Sequence, residues 1–486
     1  MENKSYINTL LEGFAAMADQ LAFSLYDGKQ VANVSRSAFL EDILRTAGSL
    51  EVRGKHIALI APNSYRWLVS FLAIAATGNT AVLLNPALPL EMLADQCRHT
   101  DVSLVLGSSP SPEFPALSLS PEAAPLSLDA LPCPPVDDTA VLMFTSGTTG
   151  KSKAVELSWG NITAAIAHPE GFFSGPGLER PMLVLPMYHI AGLRGALSLL
   201  SRGKTLCMGR GAMHLLMDMP VLAPTQVQLV PAMVESLYKL LRRTTTVEQR
   251  QKYTGPNLQR IVIGGADAKL SVCRSLMDMG YTIESGYAMT ETGGVGTWGI
   301  WDKNHINTIG RPSGDMECRI ENGEILLRGP SQMKGYYRDP EASAQVVREG
   351  WVHTGDLGYR SDDGWFYLTG RKKNVIILSN GENVNREEVE ASGAIYANSL
   401  DDCAIQCLKL IGIDYPLATE EELSAIAEEE VKKYSPEQKY LRGLYTGGTY
   451  MDEAANAMIP RIGTIYSNCP IDPAWKLADS YVSKEN

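Results

Sequence analysis

An apolar run that leads directly into a loop of glycines, hydroxyl side chains and lysines constrains this chain more than any other segment. Residues 141–144, Val-Leu-Met-Phe, have the composition of a buried strand. The loop contains Thr145, Ser146, Gly147, Thr148, Thr149, Gly150 and Lys151. Glycines let the backbone expose amide N–H groups to phosphate oxygens, while the hydroxyl groups and Lys151 add donors and charge. The segment therefore predicts a phosphate-binding loop, and this composition disfavours the alternative of a plain hairpin turn.

This loop differs from a Walker A motif in two respects. A Walker A motif requires glycine where Thr145 stands, and a helix follows the loop at once. Here residues 153–157 indicate a strand, and a helix is expected to begin near Ser158. The sequence thus predicts a phosphate site of another kind.

Strands and helices are expected to alternate before the loop. The pattern predicts a helix at 35–51, a strand at 55–61, a helix at 64–77, and strands at 80–84 and 103–106. Ser35 or Ser37 is the expected N-cap of the first helix. This alternation is typical of a mostly parallel sheet in an α/β fold.

Two later regions have a different pattern. Residues 107–138 are rich in proline and serine, which predicts a linker or surface loop. Residues 317–368 consist of short alternating segments, which predict the antiparallel strands of a small barrel or sheet.

Composition excludes several classes of protein. A chain of 486 residues predicts two or more domains, and a net charge of -12 disfavours a nucleic-acid-binding surface. The start of the chain lacks the features of a signal peptide, and the apolar run at 67–84 indicates a buried helix and strand rather than a membrane span. The 8 cysteines include no CxxC pair, so reduced thiols and a cytoplasmic location are expected.

Further segments contain candidate functional residues. His189 lies in Pro-Met-Tyr-His, although a lone histidine before an apolar helix is more often a core residue. Gly264, Gly265 and Ala266 are expected to form a turn after a strand, which is a common feature of αβ proteins.

The segment at 285–292 contains three further candidates. Tyr287 can stack on a base, while the alternative for Thr290 and Glu291 is the capped start of a helix. A carboxylate such as that of Glu291 suits Mg2+ together with phosphate oxygens.

The segment Thr354-Gly355-Asp356 adds a second carboxylate. The two oxygens of the Asp356 carboxylate can accept from two neighbouring donors, although an aspartate in a β-turn is the alternative. Three further candidate functional residues follow in the sequence: Arg371 and Lys373 in the segment at 368–376, and Gly381 in the segment at 381–385.

Taken in order, these segments resemble the motifs of the adenylate-forming superfamily, which includes acyl- and aryl-CoA synthetases, peptide-synthetase adenylation domains and firefly-type luciferases. The resemblance runs from near residue 35 to about residue 390. Ser152 and Ala154 depart from the usual proline and glycine of the loop, and neither change removes a phosphate donor. Ala288 stands where the family's later segment has a second glycine. The resemblance implies two αβ subdomains, a small β-rich subdomain and a C-terminal lid.

The resemblance also implies residue roles. Lys151, His189, Thr290 and Glu291 would be catalytic, and Glu291 would hold Mg2+. The nucleotide would contact the loop Thr145 to Lys151 and Gly264, Gly265, Ala266, Ser285, Gly286, Tyr287, Thr290, Asp356 and Arg371. Lys373 would be the hinge of the lid, and Gly381 would line the channel for CoA.

The resemblance ends where the lid should continue. We expect a large adenylating domain at 1–370, a hinge and the start of a lid at 371–398, and an atypical α/β tail at 399–486. The family's lid lysine is not recognisable there, since Lys432, Lys433 and Lys439 lie in unrelated surroundings. Residues 440–454 instead resemble part of the FdrA-type, succinyl-CoA-synthetase-like proteins. A divergent lid is the alternative.

The function expected from the resemblance is activation of a small carboxylic acid or fatty acid by ATP with Mg2+, followed by transfer of the acyl group to CoA. The acid is expected to bind near residues 188–195 and 264–294. Two alternatives stay open: a nucleotide-binding protein impaired by the missing lysine, and a peptide-synthetase adenylation module, against which the absence of a following carrier domain weighs.

Overall fold

The computed structural model describes residues 6–120, 123–145, 152–167, 177–264, 269–371, 375–377 and 383–385. These belong to one compact unit that ends at Asn385, while a second unit, Arg386–Asn486, lies outside the described residues. The predicted boundaries at 370 and 398 therefore stay predictions.

The helices of the described residues are α1 (Tyr6–Ala16), α2 (Arg36–Gly48), α3 (Tyr65–Ala76), α4 (Leu90–His99), α5 (Trp159–Ala167), α6 (Ile190–Ser201), α7 (Leu215–Leu222), α8 (Pro231–Leu241), α9 (Val247–Thr254), α10 (Leu270–Asp278) and α11 (Pro340–Val346). Short 3-10 turns lie at Leu128–Ala130, Ala212–His214 and Thr290–Thr292.

The strands are β1 (Leu21–Tyr26), β2 (Val31–Ser35), β3 (His56–Ile60), β4 (Thr80–Leu83), β5 (Val102–Gly107), β6 (Ala116–Leu117), β7 (Thr139–Thr145), β8 (Lys153–Ser158), β9 (Pro181–Met182), β10 (Leu206–Met208), β11 (Gln226–Leu229), β12 (Arg260–Ile263), β13 (Thr282–Tyr287), β14 (Thr297–Ile300), β15 (Arg311–Pro312), β16 (Glu317–Glu321), β17 (Glu324–Arg328), β18 (Gly335–Tyr336), β19 (Val347–Arg348), β20 (Trp351–Arg360), β21 (Phe366–Arg371), β22 (Val375–Ile377) and β23 (Asn383–Asn385).

A seven-stranded sheet contains the strands on both sides of the phosphate loop. Its order is β18-β8-β7-β4-β3-β5-β6, with parallel pairing from β7 to β6 and antiparallel pairing at β8 and β18. The predicted helices and strands before the loop are confirmed. Ser35 caps α2 by accepting from the Ala38 amide, and Ser64 caps α3 in the same way.

A second sheet has nine strands in the order β15-β14-β13-β12-β11-β9-β10-β1-β2. Its centre, from β13 to β1, is parallel. The N-terminal hairpin β1–β2 forms one edge, which the sequence analysis did not identify. Because β12 and β13 are parallel neighbours, the chain segments that follow them emerge at the same edge of the sheet.

The third sheet is five-stranded and antiparallel, and it contains β16, β17, β19, β20 and β21. This confirms the antiparallel region predicted at 317–368. Backbone hydrogen bonds between Ile309 and Phe366 and between Phe366 and Gly310 join it to the chain before β15.

The largest core packs α2, α3 and α6 with strands of the first two sheets. The apolar run at 67–84 is confirmed as a buried helix and strand, since its residues form α3 and β4. None of the helices in the described ranges combines the length and the apolar composition that a membrane-spanning segment requires.

Candidate active site

The phosphate loop is framed by two antiparallel strands. Strand β7 ends at Thr145 and β8 begins at Lys153, and these two residues are register partners. The Ser152 hydroxyl donates to the Thr145 carbonyl at 3.2 Å. The strand predicted after the loop is therefore confirmed, while Ser146 to Lys151 lie outside the described residues.

The glycine turn after β12 lies beside the end of β13. Ile263 is the register partner of Ser285, so Gly264 and Gly286 follow at neighbouring positions. The Ser285 hydroxyl donates to the Thr308 carbonyl and accepts from the Trp301 indole N–H at 2.7 Å. These contacts fix the backbone next to the proposed base-binding position. Gly265 and Ala266 lie outside the described residues.

Tyr287 and Asp356 meet although they come from different sheets. The Tyr287 hydroxyl donates to Asp356 Oδ2 at 2.5 Å, and the two residues are only 9% and 4% exposed. Gly355 has φ +74°, a conformation that favours glycine, and its amide donates to Glu324 Oε1 at 2.8 Å. The Asp356 amide donates to the Thr354 hydroxyl at 3.0 Å. The turn thus holds Asp356 against Tyr287.

Glu291 lies in the 3-10 turn Thr290–Thr292, so the alternative of a capped α-helix is wrong at this position. Glu291 is 7% exposed, and its Oε1 accepts a hydrogen bond of 2.7 Å from the Tyr336 hydroxyl. The Met333 amide also donates to the Glu291 carbonyl at 2.8 Å. Hydrogen bonds therefore fix Glu291 at both its backbone carbonyl and its side-chain carboxylate.

Tyr336 is a residue of this site that the sequence analysis missed. It lies on β18, which pairs with β8 directly after the phosphate loop, and Lys153 Nζ lies 5.1 Å from the centre of its ring. Burial and the neighbouring carboxylate of Glu291 raise the Tyr336 pKa, so the hydroxyl stays a donor at ordinary pH. Only the pairing of β18 with β8 reveals this contact, since Tyr336 and Glu291 are distant in sequence.

His189 precedes the first residue of α6, and its ring lies 4.8 Å from that of Tyr188. Asn63, which the sequence analysis also missed, fixes the segment before it. The Asn63 side chain donates to the Leu185 carbonyl at 2.7 Å and accepts from the Met187 amide at 2.8 Å. The loop that contains His189 is thereby attached to the end of β3.

Arg371 ends β21 and is the register partner of Asp356 on β20, so its backbone lies beside the proposed ribose site. Lys373 and Gly381 lie outside the described residues. Among the described residues, no group of three or more histidine, cysteine, aspartate or glutamate side chains is arranged to hold a metal. The buried carboxylate of Glu291 suits Mg2+, which proteins usually bind through one or two carboxylates together with nucleotide phosphates.

Comparison with known protein families shows to which family this chain belongs. Residues 18–337 match the family described as AMP-binding enzyme. The chain belongs to this family. The match begins before residue 35, where the motifs placed its start, and so includes β1 and β2.

Relatives of this AMP-binding enzyme are CoA ligases for different acids. The long-chain-fatty-acid–CoA ligase of Bacillus subtilis (strain 168) is 25% identical, over 85% of this chain and 83% of that protein. The 2-succinylbenzoate–CoA ligase of Bacillus licheniformis is 28% identical, over 71% of this chain and 76% of that protein.

The fold agrees with solved structures of the O-succinylbenzoate coenzyme A synthetase of Bacillus subtilis. The structure with a product analogue has a TM-score of 0.68 at 25% identity, covering 79% of this chain and 81% of that chain. The structure with ATP and a magnesium ion has a TM-score of 0.65 at 25% identity, covering 79% and 83%. The predicted superfamily and fold class of the AMP-binding enzyme are confirmed.

Proposed function

We propose that this AMP-binding enzyme activates a carboxylic acid with ATP and Mg2+ to an acyl-adenylate, releases pyrophosphate, and transfers the acyl group to CoA. The hydrogen bond between Tyr287 and Asp356 is the observation that carries the proposal. It brings a candidate base-stacking ring and a candidate ribose-binding carboxylate together from two sheets. The CoA-ligase relatives support CoA as the acceptor.

In this proposal, each group neutralises or positions part of the nucleotide. Asp356 accepts from the ribose hydroxyl groups, Glu291 would hold Mg2+, and Thr290 donates to the α-phosphate. The phosphate loop and Lys151 bind the remaining phosphate oxygens, and His189 lies towards the acid. Catalysis of the displacement at the α-phosphate then comes mainly from positioning and charge neutralisation.

ATP–pyrophosphate exchange over a panel of carboxylic acids tests the proposal, followed by detection of the CoA thioester. Exchange that depends on one class of acid and is lost in Lys151→Ala is the expected result. A wild-type protein that binds ATP but supports no exchange with any acid would identify a nucleotide-binding protein without this activity.

Replacing Asp356 by alanine is expected to weaken binding of AMP by about 1.5–3 kcal/mol, because the ribose hydroxyl groups lose a buried acceptor. Calorimetry with AMP measures the change. Asp362→Ala is the control, since this exposed aspartate lies at the turn between β20 and β21. Equal affinity in the wild type and Asp356→Ala would contradict the ribose role.

Replacing Tyr336 by phenylalanine is expected to raise the Mg2+ concentration for half-maximal turnover by about fivefold to tenfold, because loss of one hydrogen bond leaves Glu291 less well oriented. AMP affinity without Mg2+ should stay the same. Tyr337→Phe is a matched control, because the hydroxyl of Tyr337 donates to an exposed carboxylate, Asp101 Oδ2, at 2.9 Å. Equal Mg2+ dependence in the two variants would show that Tyr336 does not orient a metal ligand.

A further inference from the structure

The loop between β14 and β15, residues 301–310, connects two parts of the candidate nucleotide site. Towards β13, the Trp301 indole N–H donates to the Ser285 hydroxyl at 2.7 Å and to the Thr308 carbonyl at 3.0 Å. Towards β21, the Thr308 hydroxyl donates to the Phe366 carbonyl at 2.8 Å. Strand β21 pairs with β20, which carries the proposed ribose carboxylate. The position of this loop therefore affects both the base-binding and the ribose-binding part of the site.

His305, in the middle of the loop, hydrogen-bonds a carboxylate at each of its two ring nitrogens. Nε2 lies 2.7 Å from Asp363 Oδ2, in the turn between β20 and β21, and Nδ1 lies 3.0 Å from Asp302 Oδ1. The His305 ring also stacks on Trp365, with ring centres 4.4 Å apart and an angle of 20° between the planes. The His305 side chain is only 17% exposed. His305 therefore attaches the loop to the β20–β21 turn.

Only the protonated form of His305 can donate to both carboxylates. A neutral imidazole has one N–H donor and one acceptor nitrogen, so one carboxylate would face a lone pair. The hydrogen bonds to Asp363 and Asp302 accordingly raise the pKa of His305 above its ordinary value. The attachment is complete at low pH, and it loses one hydrogen bond as the pH rises through this raised pKa.

The elements around His305 carry further ionisable groups, namely Lys303, Arg311, Arg360, Asp362 and Tyr367. The Arg311 guanidinium donates to the Asp363 carbonyl at 2.8 Å and keeps its charge at every ordinary pH. Burial is the main cause that raises the pKa of Tyr367, so its hydroxyl stays neutral. Imidazole is the side chain whose ordinary pKa lies near neutrality, so His305 is the member of this cluster whose charge changes there.

We propose that protonated His305 is a positioning residue for the nucleotide, because it holds the 301–310 loop against the β20–β21 turn and so fixes the base-binding part of the site relative to the ribose-binding part. The inference rests on the proposed function, which places the base beside Ser285 and Tyr287 and the ribose beside Asp356. When His305 loses its proton, the loop is held less firmly and nucleotide affinity falls.

Calorimetry with AMP between about pH 6 and about pH 9 tests this proposal, with His305→Gln as the variant. Glutamine can donate to one carboxylate at every pH but carries no charge. The wild type is expected to bind AMP about fivefold to tenfold more tightly than His305→Gln at about pH 6, and the two affinities should converge by about pH 9. The ratio of the two affinities cancels the titration of the AMP phosphate, which is common to both proteins. A ratio that does not change with pH would overturn the proposal.

Two further variants sharpen the test. His99→Gln is the matched control, because His99 on α4 also packs near aromatic rings but lies outside the loop and the turn. This variant should keep the wild-type pH dependence. Asp363→Asn leaves the His305 ring in place and should lower its pKa, so that AMP affinity falls at a lower pH. The double variant with His305→Gln should bind AMP no more weakly than His305→Gln alone, because both changes break one contact. Full additivity would contradict the proposal.

NMR titration of the histidine rings follows the proton directly. The chain has 7 histidines, and the signal that is missing from the His305→Gln spectrum identifies His305. Unchanged signals from the other histidines verify that the variant is folded. By reciprocity, saturation with AMP should raise the pKa of His305. A pKa that AMP does not move would overturn the role of His305 alone, whereas no AMP binding at any pH would overturn the proposed function as well.

Discussion

Replacing Glu291 by glutamine is expected to lower turnover by about 100- to 1000-fold while AMP affinity changes little. Glutamine keeps the size of the side chain and an acceptor oxygen, but it removes the negative charge that suits Mg2+. Glu291 would hold Mg2+, which would supply positive charge where negative charge develops at the α-phosphate, and loss of one preorganised electrostatic group typically has an effect of this size. Binding of AMP alone should not require Mg2+ at Glu291, so it should survive.

Steady-state exchange assays and calorimetry with AMP together test this expectation. Glu341→Gln, a change at an exposed glutamate on α11, is the control and should affect neither measurement. A parallel loss of turnover and AMP affinity in Glu291→Gln would show that Glu291 supports the 3-10 turn rather than a metal.

Local signals explain which parts of the fold could be predicted. Ser35 and Ser64 were identifiable as helix starts because an N-cap depends on neighbouring residues alone. The strand that begins at Lys153 was predictable because its apolar residues follow the loop directly. Strand β1, next to the edge strand β2, was not predicted, because its place in the sheet depends on parallel pairing with β10, far along the chain.

The same distinction applies to the candidate site. Asp356 and Glu291 lie in short motifs, so their residue types and spacing were informative. Tyr336 has no such motif, and its role depends on β18 reaching the edge of the sheet beside the phosphate loop. Asn63 likewise acts through two backbone groups in a distant segment. Contacts of this kind arise from tertiary pairing, which residue spacing does not encode.

The second large effect is expected on the rate of acyl-adenylate formation, and it concerns the C-terminal part of the chain. Acyl-adenylate formation from ATP is expected to be about 100- to 1000-fold slower than in a family member that carries the lid lysine, because the predicted loss of that lysine would remove one preorganised charge from the transition state. Thioester formation from supplied acyl-adenylate should suffer less, since the predicted hinge residue Lys373 and the predicted CoA-channel residue Gly381 are present in the sequence. Single-turnover measurement of the two half-reactions compares them directly.

Removal of residues 401–486 distinguishes the two interpretations of the tail. If these residues resemble part of another CoA-ligase family and supply no catalytic group, adenylate formation should change by less than about twofold, which is under 0.5 kcal/mol in the barrier. If they are a divergent lid, one of its cations stabilises the acid and the α-phosphate, and the rate should fall by about 100-fold or more. AMP affinity is the control for folding, because the proposed nucleotide-binding residues all precede Lys372. A large fall in adenylation with unchanged AMP affinity would contradict our expectation, and individual substitution of Lys432, Lys433 and Lys439 would then identify the residue responsible.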